Sequence, residues 1–149
     1  MVSFPDAIKM FFARYTDFQG RSRRSEYWWV VLFNLIVGVV GGFLIGLTGG
    51  AGLETGDLNP VSMILIGVLG LYVLAIIIPS IALVVRRLHD INQTGWIYLG
   101  LVIAGLIPLL NLIAAVAQIV IALIPGTAGP NKYGPDPKDP AGSAGDVFV

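Results

Sequence analysis

The sequence predicts an all-α membrane fold: a small polytopic transmembrane helical bundle with an N-terminal amphipathic interfacial helix and a Gly/Pro-rich irregular C-terminal tail. Three observations carry this. Of the 149 residues, 56% are hydrophobic and only 12% charged, against about a quarter charged in soluble domains. Uncharged apolar runs occupy 27–47, 61–85 and 96–124, and runs of about 20 residues cross a hydrocarbon core. Tyr27, Trp28 and Trp29 open the first run, and Trp96 and Tyr98 the third; Trp and Tyr settle at the headgroup level.

The length suits a single membrane domain, 1–137, followed by a tail, 138–149, expected to be disordered. With no cysteine there is neither a disulfide framework nor a thiolate metal site. No metal or cofactor is expected, because His89 is the lone histidine and Glu26, Asp90 and Asp136 are scattered. Nucleic acid is not indicated either, since the basic residues lie beside aromatic belts. The first apolar run starts late and no small-residue cleavage site precedes a polar mature domain, so a cleavable signal peptide is not expected.

Along the chain, Ser3 is placed to cap a helix, with Pro5 in its first turn and Asp6 to complete a capping box. Phe4, Ile8, Phe11, Tyr15 and Phe18 recur at helical spacing, which predicts an amphipathic helix over 4–19. Its stripe either lies in the headgroup boundary or packs on the protein's own helices. Gln19-Gly20 ends it. Ser22 is a candidate N-cap for the first span and Glu26 lies near its positive end.

Within that span Gly38, Gly42 and Gly46 recur every fourth residue, a small-xxx-small pattern expected to serve intramolecular helix packing before dimerisation. Asn34 is its one strongly polar group and reads as interhelical glue. A Gly-rich acidic loop, 48–60, leads to the second span, which Pro79-Ser80 should kink. The third run, 29 residues, is interrupted by Pro108 and Asn111. Length favours one kinked helix, because the limbs of a broken hairpin would be only about 12 to 16 residues. The stretch from Pro125 onward is too rich in Pro and Gly for a regular element.

Charge placement predicts orientation. Lys9, Arg14, Arg21, Arg23 and Arg24 precede the first span, Arg86 and Arg87 follow the second, and the loop between has only Glu54 and Asp57. The positive-inside rule then puts the N-terminus and the segment after the second span in the cytoplasm. Lys132 and Lys138 in the tail add a weak vote for the same side.

Three polar elements punctuate this pattern. Arg21, Arg23, Arg24, Glu26, Tyr27 and Trp28 open the first span. Arg86, Arg87, Leu88, His89 and Asp90 follow the second. Gly126, Thr127, Gly129, Asn131, Tyr133, Gly134, Asp136 and Pro137 form the tail. In this order, with these apolar spacers, the chain resembles the YhaH/YhaI-type family of small bacterial inner-membrane proteins, a family of unknown function, from about Phe12 to Pro137. The resemblance implies fold and a bacterial inner (plasma) membrane location, and no activity. The Gly-rich loop and the extended tail depart from it. It also bears on the third run: the three elements can build one site only if they share a face. That tips the balance to the broken hairpin, with the single kinked helix as the alternative.

Two readings of the polar residues follow. Arg86 and Asp90 lie at i,i+4 and can pair, and Glu26 lies within reach of Arg86 or Arg87 across helices. The bland reading is therefore a structural ion-pair network over Arg21, Arg23, Arg24, Glu26, Arg86, Arg87, His89, Asp90, Asn131, Tyr133 and Asp136. The sharper one is a site for an anionic lipid headgroup or small acidic ligand among the arginines. An enzyme is not expected, because neighbouring His89 and Asp90 point apart on a helix and lack a nucleophile. A channel is disfavoured, because the spans hold no ionisable residue. The expected role is a structural or interaction (scaffold or accessory) membrane protein, with the bilayer and a second copy or another membrane protein as partners. The alternative is a binding module for an anionic lipid or small acidic ligand.

Overall fold

The computed structural model describes residues 2–48 and 59–139, and they form helices joined by turns. In order these are α1 (Phe4–Ala13), α2 (Arg24–Leu47), α3 (Pro60–Asp90), α4 (Trp96–Gly105) and α5 (Pro108–Leu123). The loop predicted between the first two spans and the tail predicted to be disordered lie mostly outside the described residues. The chain divides into two compact units: residues 2–30 with 79–139, and residues 31–78. Helices α2 and α3 each contribute to both.

In the first unit, α1 starts on part of the predicted capping box. Ser3 Oγ accepts the Asp6 N–H at 3.4 Å, the first half of the box, but the Asp6 carboxylate takes the Ser3 hydroxyl at 2.5 Å instead of the Ser3 N–H that the second half needs. The helix ends at Ala13, earlier than the predicted residue 19. The cause is Asp17: its carboxylate takes Arg14 Nε at 2.8 Å and the Gln19 N–H at 2.9 Å, which favours a turn over continued helix. Gly20, at φ +74°, completes the reversal. Part of the apolar stripe packs on the protein itself. Ala7 and Phe11 are buried, Phe4 meets Trp29 edge to face at 5.6 Å, and Trp29 Nε1 donates to the Val2 carbonyl at 3.0 Å.

The third apolar run is a broken hairpin. Helices α4 and α5 pack on each other, with Pro108 at the first position of α5, where its missing N–H is harmless. Asn111 closes the turn, its Nδ2 donating to the Gly105 carbonyl at 3.0 Å. The chain then returns to α3, since the Thr127 N–H donates to the Asp90 carbonyl at 2.8 Å. The limbs, 10 and 16 residues, are shorter than the length that argued for a single helix. The tail's need to meet Asp90 outweighs it.

In the second unit, the parts of α2 and α3 are long, apolar and lipid-like on their outer faces, as Leu35, Val39, Phe43, Leu71 and Leu74 show by their exposure. Asn34 accepts the Tyr72 hydroxyl at 2.7 Å, tying α2 to α3. The α3 start is capped by Asn59, whose Oδ1 accepts the Ser62 N–H at 3.0 Å. Ser62 Oγ donates to the Thr48 carbonyl at 2.7 Å. The predicted packing role of Gly38, Gly42 and Gly46 needs correction: a Cβ on each would meet no described atom within 4 Å. The close approach uses Gly41 instead, where a Cβ would stand 3.2 Å from Leu69. One residue is about 100° around a helix, so Gly41 faces α3 while the regular stripe looks outward.

Candidate functional site: a buried arginine network

Helix α3 continues unbroken through Arg86 to Asp90, so its last turn delivers these side chains from a rigid element. Arg86, Arg87 and Asp90 are buried, as are Arg21, Ser22 and Glu26. Burying such groups is costly unless each charge is paired and each donor used.

Asp90 is the centre. One carboxylate oxygen takes Arg21 Nε at 3.0 Å and the other takes Arg87 Nη1. The side chains of Arg21, Arg87 and Asp90 are 2%, 0% and 3% exposed, so water does little of the pairing. The Asp90 backbone carbonyl is used as well, accepting the Thr127 N–H and Oγ1–H, each at 2.8 Å. One acid cannot satisfy two guanidiniums with five donors each. Backbone carbonyls supply the rest.

Those carbonyls come from irregular chain and from a helix end. Arg21 donates to Gly129 at 2.7 Å and to Thr127 at 2.5 Å. Arg87 donates through Nε to Ile121 at 3.2 Å and through Nη2 to Ile124. Arg24 donates to Leu123 at 2.8 Å. Ile121 and Leu123 belong to the last turn of α5, whose carbonyls have no helical partner and carry the negative end of its dipole. Arg24 and Arg87 thus act as a two-armed C-cap, a role the sequence reading missed.

Arg86 points elsewhere. Its Nη1 donates to the carbonyls of Arg14, at 3.2 Å, and Asp17, locking the turn before α2. Its Nη2 lies 3.7 Å from Glu26 Oε1, too far for a hydrogen bond. Arg86 Nε and Nη2, Glu26 Oε1 and Ser22 Oγ lack hydrogen-bond partners among the described residues. Ser22 is therefore not the predicted N-cap: α2 begins at Arg24, and it is the Ser22 N–H that is used, donating to the Arg86 carbonyl at 3.0 Å. Arg23 stays half-exposed, with no side-chain partner among the described residues.

The tail closes over His89. The imidazole stacks on Tyr133 at 3.8 Å between centroids and 7° between planes, and its Nδ1 meets the Gly20 carbonyl at 3.2 Å. Asn131 Nδ2 donates to the His89 carbonyl at 2.9 Å, while Asn131 Oδ1 accepts the Tyr133 N–H at 2.9 Å. Asp136 bonds no arginine directly and joins the cluster through Gly129, whose carbonyl takes Arg21. It organises the tail by accepting the Lys138 N–H at 2.8 Å and the Gly129 N–H at 3.0 Å, so ordered turn continues past residue 137. The Lys138 N–H, opposed by burial and helped by the Gly129 N–H, holds the Asp136 carboxyl below its ordinary value. Among the described residues no group of three or more His, Cys, Asp or Glu could hold a metal ion.

The structure thus brings Arg21, Arg24, Arg86, Arg87, Asp90, His89, Asn131 and Tyr133 into one hydrogen-bonded network, with Glu26 beside it. Arg14 and Asp17 belong to it too, Gly126 packs against Asp90, and none of the three was anticipated as a member. Their signal was faint: an i,i+3 Arg–Asp pair before the first span, and a glycine just after the third.

Two helices, Arg24–Leu47 and Pro60–Asp90, are long and apolar enough to cross a membrane. With their arginine-bearing ends tied together, the class is a small helical membrane protein. The chain belongs to the family described as "Protein of unknown function (DUF805)", which matches residues 15–135. It is 38% identical over 128 residues to inner membrane protein YhaI of Escherichia coli (strain K12), covering 83% of this chain and 88% of that protein. It is 33% identical over 129 residues to inner membrane protein YhaH of the same strain, covering 83% and 89%. No solved structure matches.

Proposed function

We propose that this inner-membrane protein is a multi-pass scaffold or accessory subunit, with its N-terminus and its arginine network in the cytoplasm. The carrying observation is where the arginine donors go. Arg21 and Arg87 spend theirs on Asp90 and on backbone carbonyls of the same chain. Arginines committed in this way fix the relation of segments to one another and leave little for a soluble ligand. The network joins the segment before α2, the end of α3 and the tail. The Lys and Arg of all three then count toward one side, which the positive-inside rule makes cytoplasmic. On this reading the hairpin of α4 and α5 dips into the apolar layer and returns, and the outward Gly38, Gly42 and Gly46 face is a place for another helix to approach. Crosslinking in native membranes tests it: a defined partner or homo-oligomer supports the role, and a strictly monomeric protein in native lipid with nothing co-purifying contradicts it.

A second reading is favoured by Arg23, which is half-exposed and uncommitted beside the Tyr27 and Trp28 belt. Here the protein holds an anionic lipid headgroup at its cytoplasmic face. It predicts that Arg23→Ala lowers retention of anionic lipid during purification while thermal stability stays put. Unchanged retention removes it.

A further inference from the structure

The first unit holds a cleft that the arginine network does not use. It lies between the last turns of α3 and one face of α4 and has a volume of about 690 Å3. Its walls are mostly apolar, with Ile81 and Val85 from α3 and Leu99 and Val102 from α4, and Thr94, Trp96 and Tyr98 also line it. Gly95 keeps the cleft's floor tight, because a Cβ there would stand 2.7 Å from Val85 Cγ1. The cleft also reaches the turn before α2 and the tail. Phe18, from the turn before α2, and Tyr133, from the tail, line it together with His89. An apolar trough with a few polar groups in its lining is complementary to an amphiphile.

The chemistry there is set by His89. The Gly20 carbonyl can only accept, so the 3.2 Å contact puts a proton on Nδ1. In the neutral ring Nε2 then carries a lone pair and no proton, and Nε2 has no partner among the described residues. One face of the ring is covered by Tyr133, so the ring does not turn freely. Lys132 Nζ sits over the Tyr133 ring, 5.0 Å from its centroid. A fixed acceptor in the lining of an apolar trough favours a head that donates a hydrogen bond.

We propose that this cleft binds a neutral membrane lipid bearing a free hydroxyl, whose O–H donates to His89 Nε2 while one chain lies along Ile81, Val85, Leu99 and Val102. The assignment goes beyond the scaffold role and does not rest on it. A lipid-exposed groove without this acceptor would take any chain. Here a head that cannot donate leaves the His89 acceptor without its hydrogen bond.

The test uses the whole protein in mild detergent, loaded with diacylglycerol or with the same lipid acetylated at its hydroxyl, and read by native mass spectrometry. The free hydroxyl is expected to raise retention about tenfold. A long-chain isoprenoid alcohol in a separate arm separates a glycerolipid from an isoprenoid source, and tighter retention of either alcohol than of its acetate supports the site. Val102→Trp fills the trough at a position 42% exposed and outside the arginine network, and is expected to abolish retention. Equal retention of free and acetylated lipids by the wild-type protein overturns the proposal. So does preference for phosphatidic acid over diacylglycerol, or undiminished retention by folded Val102→Trp. The wild-type comparison decides even if that variant does not fold.

Discussion

Gly126 lies against the carboxylate of Asp90, so close that a Cβ at residue 126 would stand 2.0 Å from Asp90 Oδ2. This contact is where the tail is admitted to the network. Asp90 cannot step aside, because both its oxygens are held by Arg21 and Arg87. Gly126→Ala should therefore break the network, lowering stability on the order of 3 kcal/mol, the scale of disrupting a buried ion pair. Gly100→Ala is the control, since a Cβ there meets nothing within 4 Å. Thermal unfolding in detergent checks both: a large fall for the first and a change within about 1 kcal/mol for the second.

Arg87→Lys should be far from conservative. A lysine ammonium can keep Asp90 company but cannot also reach Ile121 and Ile124 in the directions a planar guanidinium does. The α5 C-terminus would lose its cap. Hydrogen exchange should show faster exchange confined to the last turns of α5 and the segment to Thr127, with the second unit unchanged.

Acid should loosen the tail through Asp136. Its folded-state pKa lies below the ordinary 3.8 because the Lys138 and Gly129 N–H groups favour the carboxylate. A depressed carboxyl contributes stability that is complete above the unfolded value and is lost as pH falls through the folded value. Wild type and Asp136→Asn should thus differ by a constant amount above pH 3.8, with the difference shrinking below it. Thermal melts of both across that range read the two curves.

Tyr72→Phe isolates the polar contact inside the second unit. It removes the hydroxyl that Asn34 accepts at 2.7 Å and leaves the ring. Interhelical hydrogen bonds in membranes average about 0.6 kcal/mol, so a loss of that size is expected in a reversible unfolding assay. A loss of several kcal/mol would contradict that scale.

Much of this architecture was legible in the residues. Uncharged runs ending in aromatics and arginines announce membrane helices, because composition alone makes them too apolar for water. The Ser3 cap and the Asn34 contact were readable because one short-range pattern decides each. Other features depend on partners distant in sequence. That Arg87 caps α5, and that Asp90 must meet Gly126, depend on a hairpin whose limb lengths argue against it. Ser22 looked like a cap because it lies just before the first span. It is the Arg86 carbonyl that claims its N–H. Likewise Gly41, outside the regular glycine stripe, makes the close approach, since α3 meets α2 on a face that the four-residue repeat does not mark.

The most direct test of the account is the side of the membrane on which the C-terminus lies. The network requires the tail to share a face with the end of α3 and the segment before α2. Paired reporter fusions after Val149, one active only in the cytoplasm and one only in the periplasm, read this in living cells. A cytoplasmic signal, matching an N-terminal fusion, is the predicted result. A periplasmic C-terminus would separate Thr127 and Gly129 from Arg21 and contradict the network itself.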